Sequence, residues 1–379
     1  MTLEELRKEI DAIDDKIAEL YGKRMETVKN IGLVKASKGL TIFDAGREKE
    51  VVNRVTAKIL PELGVYAKQL FNVIFDTSKA YQSRFSNISS PIGEAIKAAV
   101  KERQVFPERA TVACQGAAGA FSHIAAEKIF ELSDITYFKT FEGVFNAVQS
   151  GLCQFGALPI ENSSVGSVNQ VYDLMKKYKF YIVKSVKLKV RHCLLAKNGA
   201  SLADIKEIVS HEQALGQCGE FLKKLGDVKI TATENTAAAA RLVAESTRND
   251  IAAVSSKQSA EYYGLKTLAS DIQNAENNFT RFICISKSLK IFRGANKISV
   301  MANLPHEAGS LHKILSKFNT LGLNLTKLES RPLPNTDFEF MFYFDFEADV
   351  EREDVLNLIC ELDRASSEFR FLGSYNEII

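Results

Sequence analysis

The chain has no apolar run near the roughly eighteen residues a membrane span needs, which excludes a transmembrane segment. Its opening, Met1 to Ile10, lacks the apolar stretch and small-residue cleavage site of a signal peptide, so the sequence predicts a cytoplasmic protein. It has no Cys-x-x-Cys, and no cysteine stands at metal-ligand spacing from a histidine. Cys114, Cys153, Cys193, Cys218, Cys284 and Cys360 lie far apart among apolar neighbours and read as buried thiols, with no metal and no cofactor expected. An excess of one charge is missing too. The 49 basic and 47 acidic residues leave a net of +2, too little to argue for nucleic acid. With 25% charged and 46% hydrophobic residues, the composition excludes wholesale disorder and fibrous classes. The 379 residues, at roughly 150 per domain, predict two or three domains.

What is present begins with a capping-box pattern, Thr2-x-x-Glu5, followed by Leu3, Leu6, Ile10, Ile13, Ile17 and Leu20 at steps of three and four. This predicts an amphipathic helix to about Lys35, about 50 Å long at about 1.5 Å per residue. Two shorter helical patterns follow, from about Asp44 to Leu60 and from about Val65 to Arg84, parted by Pro61 and Gly64. They are too short to cover the long apolar stripe, so a helical dimer is expected. Phe85 to Pro107 reads as a linker holding a short charged helix. From Ala110, β-rich runs at 111–115, 155–160, 180–190, 208–210, 228–233, 251–255 and 282–286 alternate with helical patterns. This predicts a two-lobed α/β region with a cleft. After a basic second linker, 287–296, the tail reads strand 297–303, helix 309–321, strand 324–331, strand 338–346, helix 351–363 and strand 369–375, a ferredoxin-like βαββαβ unit.

In the helical part, polar residues stand where the pattern reserves apolar ones. Arg24 falls on the seam after Leu20, Arg7 flanks the same stripe, and Lys35 lies four after Ile31. Asp44 and Glu48 share the face of Val51 and Val55, and Ser78 and Gln82 continue the Phe71 and Ile74 face. Snorkelling flanks or interhelical ion pairs are the plain alternative. Three inward cations against two acids instead predict a bound dianion. Residues 1–84 resemble the all-helical chorismate mutase domain, with Arg7, Arg24, Lys35, Asp44, Arg47, Glu48, Ser78 and Gln82 at its active-site positions. The resemblance implies a Claisen rearrangement of chorismate to prephenate, which needs a dicarboxylate held compact and donors at the ether oxygen. It implies that Arg7 from a partner chain and Arg24 clamp carboxylates, and that Lys35 and Gln82 face the ether oxygen. Asp44 and Glu48 bind the hydroxyl region, with Arg47 and Ser78 in support.

In the α/β part, Gly116-Ala-Ala-Gly119-Ala-Phe-Ser122-His123 joins a strand to a helix. Its amides can cradle an anion, or it is simply a tight turn. It matches neither a Walker loop nor a dinucleotide fingerprint. Pro159-Ile-Glu161-Asn162-Ser163-Ser164-Val-Gly166 sets a polar cluster after an apolar strand, where open α/β sheets place ligand contacts. Gln217 follows His211-Glu-Gln213, Thr236 follows Glu234-Asn235, and Asn277-Asn-Phe-Thr280-Arg281-Phe282 enters a strand. His123, His192 and His211 read individually as structural. Residues 110–287 resemble prephenate dehydratase, most tellingly at Thr280-Arg281-Phe282, with Ala117 and Glu212 where that family often has proline. The resemblance implies loss of the ring hydroxyl and carbon dioxide to give phenylpyruvate, which needs an acid and carboxylate anchors but no metal. It makes Thr280 the hydroxyl donor, assisted by Asn162, Glu161 and Gln217. Ser122, Ser163, Ser164, Thr236 and Arg281 are its binding residues.

In the tail, Gly309-Ser310-Leu311-His312 opens a helix and Glu329-Ser330-Arg331-Pro332 closes a strand. A helix start and a surface ion pair, worth under about 1 kcal/mol, would account for these. Both motifs resemble phenylalanine-binding segments of an ACT regulatory domain, the first with Ser310 and His312 where that family usually has Ala and Val. The resemblance implies phenylalanine as an allosteric effector. The expected organisation is multidomain: an all-α helical mutase domain at 1–85, a linker at 86–109, a two-lobed α/β dehydratase domain at 110–287, and a ferredoxin-like ACT domain at 288–379. Chorismate and prephenate are the expected substrates and a homodimer or homotetramer the expected assembly, with no nucleic-acid or membrane partner. Two other readings stand beside it: a carboxylate sensor that turns nothing over, and a dehydratase carrying an inert helical dimerisation domain. The inward set Arg24, Lys35, Glu48 and Gln82, with Thr280, argues against the first.

Overall fold

The computed structural model describes residues 2–40, 42, 44–85, 90–307, 309–333 and 339–379. Residues 86–89 of the expected linker, and Phe338 at the expected start of a strand, lie outside them. The chain divides into two compact units, residues 1–98 with 298–371, and residues 99–297 with 372–379.

The first unit opens with α1 (Leu3–Ser37), whose capping box forms as read: Glu5 N–H donates to Thr2 Oγ1 (3.2 Å) and Thr2 N–H to Glu5 Oε2 (2.7 Å). It is followed by α2 (Ala45–Thr56), α3 (Gly64–Ser83) and α4 (Pro91–Lys101). α2 stops four residues short of the expected Leu60, because Leu60 precedes Pro61 and is held extended at ψ 136°. α1 and α2 both pack on α3, closing around Val28 and Phe75. The apolar stripe of α1 stays uncovered: Leu3, Leu6, Ile10, Ile13, Ile17 and Leu20 are 39–66% exposed. The short helix expected within the linker is α4. Ser90 Oγ accepts from Gly93 N–H (3.2 Å), Pro91 starts α4, and Ile96 is buried. A Cβ on Gly93 would sit 2.6 Å from Cys360 Sγ, so α4 is packed rather than slack.

Residues 298–371 supply β12 (Lys297–Asn303), α12 (Ser310–Thr320), β13 (Asn324–Pro332), β14 (Phe340–Glu347), α13 (Glu353–Ala365) and the start of β15 (Phe369–Ile378). The strand order is β13-β14-β12, and beyond β12 the Asn303 N–H donates to the carbonyl of Glu368 beside β15 (2.8 Å). The expected βαββαβ succession is therefore present, with α12 and α13 against α3.

The second unit is the two-lobed α/β region. Its elements are β1 (Arg109–Gln115), α5 (Phe121–Ile129), β2 (Leu132–Phe138), α6 (Phe141–Ser150), β3 (Phe155–Asn162), β4 (Gly166–Ser167), α7 (Asn169–Tyr178) and β5 (Tyr181–Lys189). The second lobe adds β6 (Cys193–Ala196), β7 (Glu207–Ser210), α8 (Glu212–Gln217), α9 (Gly219–Lys224), β8 (Lys229–Ala232), α10 (Thr236–Glu245), β9 (Ile251–Ser255), α11 (Lys257–Tyr263) and β10 (Lys266–Ala269), and β11 (Phe279–Ser286) returns to the first. One sheet runs β2-β1-β3-β11-β5 and the other β10-β6-β9-β7-β8. The chain crosses between them near residues 190–192 and again near 278. β2, β6 and β10 were not anticipated: β2 is an alternating edge strand, and the other two span four residues each, too short for a periodicity to show. The end of β15 joins this unit, with Asn376, Glu377 and Ile378 pairing in parallel with Lys184, Ser185 and Val186. Gly373 permits that approach, since a Cβ there would lie 2.1 Å from the Ile182 carbonyl oxygen. Among the described residues no helix is long and apolar enough to cross a membrane, and no group of side chains could hold a metal ion.

Candidate active sites and the family

In the helical part, the seam position brings Arg24 across to α3, where Nη1 donates to Ser78 Oγ and that hydroxyl donates to the Ile74 carbonyl. Arg24 is half-buried, and burial lowers its pKa. Gln82 lies one turn beyond Ser78. It is buried against Gly32, where a Cβ would approach its Cα and Cγ to 3.3 Å. Its Oε1 has no hydrogen-bond partner among the described residues. Turning the amide over presents Nε2 to a ligand in the same space. Lys35 is half-buried and donates to the Ile42 carbonyl (2.7 Å), while Glu48 pairs with Lys79 (3.1 Å). Arg24, Ser78 and Gln82 thus gather as expected. Asp44 and Arg47 are exposed, as is Arg7, which the resemblance assigns to a partner chain's site. Asp44 caps α2 by accepting from Arg47 N–H (2.9 Å), and Arg47 pairs with Glu50 (2.8 Å).

In the α/β part, pairing of β3 with β11 sets Thr280 opposite Asn162 and Arg281 opposite Glu161. Asn162 Nδ2 donates to Thr280 Oγ1 (2.8 Å) and Asn278 Oδ1 (2.8 Å), and its Oδ1 accepts from the amides of Ser164 (2.9 Å) and Val165 (3.1 Å). Asn162 is therefore rigidly held, and an N–H donated to the Thr280 oxygen favours the charge that appears when that hydroxyl gives up its proton. Adjacent strand residues face opposite ways. Glu161 and Arg281 accordingly lie on the reverse face, away from Thr280, a correction to the expectation that they act beside it. Ser163 bridges the β3–β4 turn to β11, donating to the Asn277 carbonyl and accepting from Phe279 N–H (both 2.9 Å). Ser164 is exposed.

The lobe junction continues through Val190 N–H, which donates to the Asn278 carbonyl (2.7 Å), to His192 and Gln217. Gln217 Oε1 accepts from His192 Nε2 (2.9 Å), leaving Gln217 Nε2 and His192 Nδ1 as a buried donor and acceptor without partners among the described residues. Burial lowers the His192 pKa and so favours the neutral ring. His192 was read from sequence as structural, and Asn278 only as part of the segment entering β11. Asn278 sits two residues before Thr280 and had that signal, whereas His192 had none. The glycine loop is spent on structure: the amides of Gly116, Gly119 and Ala120 donate to Phe138 O, His123 Nδ1 and Ala117 O. The Gly119 carbonyl accepts from Ser256 (2.9 Å) and Ser259 (3.0 Å) of the second lobe. This corrects the anion-cradle reading at those amides. Ser122 is buried at the start of α5 and Thr236 half-buried at the start of α10, where Asn235 approaches the Gly116 loop.

In residues 298–371, Gly309 adopts φ +87° before α12. With Ser310 and His312 it lines a cavity of about 550 Å³ whose other wall includes Glu48, Phe75 and Lys79. Among the described residues, Leu311, Glu329, Ser330 and Arg331 do not line it. Glu329 pairs with Lys327 (3.1 Å).

Comparison with known proteins joins these sites. Residues 6–83 match the chorismate mutase type II family and residues 112–290 the prephenate dehydratase family. The bifunctional chorismate mutase/prephenate dehydratase of Escherichia coli (strain K12) is 30% identical over 380 residues, covering 98% of this chain and 95% of that protein. The chain belongs to this bifunctional family. Among other relatives, the chloroplastic arogenate dehydratase/prephenate dehydratase 2 of Arabidopsis thaliana is 40% identical over 279 residues, 70% of this chain and 73% of its own. The solved prephenate dehydratase of Arthrobacter aurescens in complex with L-Phe matches with a TM-score of 0.63 at 29% identity, covering 70% of this chain and 90% of that one.

Proposed function

We propose that this chain rearranges chorismate to prephenate in its helical part and converts prephenate to phenylpyruvate in its α/β part, with phenylalanine inhibiting through residues 298–371. The Asn162–Thr280 hydrogen bond at the lobe junction carries the second assignment. Thr280 donates its proton to the departing ring hydroxyl, and the electrons of the breaking bond to the carboxylate carbon enter the ring as carbon dioxide and water leave. Gln217 Nε2 and His192 Nδ1 offer a donor and an acceptor to the substrate's polar groups. In the mutase, Arg24 engages a carboxylate, while Lys35 and Gln82 serve the ether oxygen as negative charge develops there. Arg7 is supplied by a second copy whose α1 covers the exposed stripe, making at least a homodimer. The tail is an ACT domain: its βαββαβ order and the Gly309 loop support this, and the L-Phe complex of the Arthrobacter relative supports the effector.

The test is to give the purified protein chorismate alone and separate the products, with and without phenylalanine. Phenylpyruvate that falls with added phenylalanine is expected. Unchanged chorismate would sink the mutase assignment, and accumulated prephenate would sink the dehydratase assignment.

A further inference from the structure

Behind the Thr280–Asn162 pair lies a buried charge cluster built largely from the end of the chain. Arg281 is 6% exposed. Its Nη2 donates to the Tyr375 hydroxyl (2.6 Å), Nε lies 3.1 Å from Glu377 Oε2, and Nη1 lies 3.6 Å from Glu161 Oε2. Glu377 also accepts from Lys297 (2.8 Å) and Ser185 (3.1 Å) and lies 3.2 Å from Lys187. Tyr375 is fully buried. The two anchoring residues sit on β15, outside the residues 112–290 that match the dehydratase family.

The register makes this arrangement consequential. Arg281 follows Thr280 in β11, Glu161 precedes Asn162 in β3, and the two pairs stand opposite one another. The Arg281 and Glu161 side chains are therefore anchored one residue away from each member of the front-face pair. Removing the Glu377 charge strips a buried cation cluster of its central anion, so the cluster cannot keep its geometry.

We propose that Tyr375 and Glu377 are positioning residues for dehydration, holding Arg281 and Glu161 so that β11 and β3 present Thr280 to Asn162 in reactive register. The proposal rests on the reading of Thr280 and Asn162 as the dehydration centre. The full-length Glu377→Gln, Glu377→Asp and Tyr375→Phe variants are to be assayed with prephenate, with thermal unfolding as the measure of an intact fold and mutase turnover of chorismate as the control reaction. A misplacement near 1 Å costs about 10²-fold in rate, so Glu377→Gln is expected to lower dehydratase kcat by about 10-fold or more and Tyr375→Phe by about 3-fold, with KM changed less than about twofold. Glu377→Asp recovers part of the loss, and mutase turnover is unchanged. A kcat within about twofold of the parent in both charge-removing and hydroxyl-removing variants, or a raised KM at constant kcat, overturns the proposal. If Glu377→Gln does not fold, Tyr375→Phe decides. A Thr280→Ala variant that still dehydrates prephenate would instead overturn the reading of the centre itself.

Discussion

The residues of the front-face pair divide their labour by what each can donate. Asn162 uses its amide oxygen on two backbone N–H groups and its nitrogen on Thr280 and Asn278, so it cannot rotate to follow a ligand. Thr280 accepts one bond and keeps its own proton to give. Thr280→Ala should therefore lower dehydratase kcat by about 10²- to 10⁴-fold, the usual worth of a positioned proton donor, with mutase turnover untouched. Lys35→Ala and Gln82→Ala should do the reverse, costing the mutase about 10²- to 10³-fold as donors to developing charge. Steady-state assays of both reactions on each variant check the pair of outcomes. A cross-effect in a folded protein would contradict separate sites. Arg24, Ser78 and Gln82 stood out by their spacing on the helical seam, and Asn162 and Thr280 by the motifs that carry the family resemblance. His192 did not, because its distinction lies in a burial and an unpaired nitrogen that no local pattern displays.

Elements are tied together by ion clusters as well as by ladders. In the second lobe, Glu207 on β7 accepts from Lys229 (3.0 Å) and Thr231 (2.8 Å) of β8 and pairs with Arg248 ahead of β9. The hydrogen bonds from Arg248, Lys229 and Thr231 hold its carboxyl down to about 2 from an ordinary 4.5. A depressed carboxylate stabilises the fold above its unfolded pKa, and that contribution drains away as pH falls through the folded value. Glu207→Gln should therefore melt below the parent at pH 7, with the difference shrinking from pH 4.5 towards pH 2. Thermal unfolding across that range checks it, and a gap independent of pH would contradict it. The long helix, α3 and most strands followed from periodicity. α4 was expected only as a short helix within a linker, and its packing shows once Ser90, Gly93 and Cys360 are seen to lock it in place.

At the scale of the molecule, α1 gathers Leu3, Leu6, Ile10, Ile13, Ile17 and Leu20 exposed on one face. Covering that face with a second copy returns about 1.5–3 kcal/mol for each Leu or Ile fully withdrawn from water. Ile13→Glu, at the middle of the stripe, should convert the assembly to monomers in sedimentation velocity. It should also lower mutase activity, because Arg7 would no longer reach its neighbour's site. A dimer that persists with full mutase activity would contradict this covering. Local sequence sufficed for the helical and α/β textures, because periodicity is a property of neighbouring residues. It could not say which side of a strand meets which partner. Thr280 and Asn162 are far apart in sequence, and only the β3–β11 register puts them together on one face while sending Arg281 and Glu161 to the other, where the end of the chain closes over them.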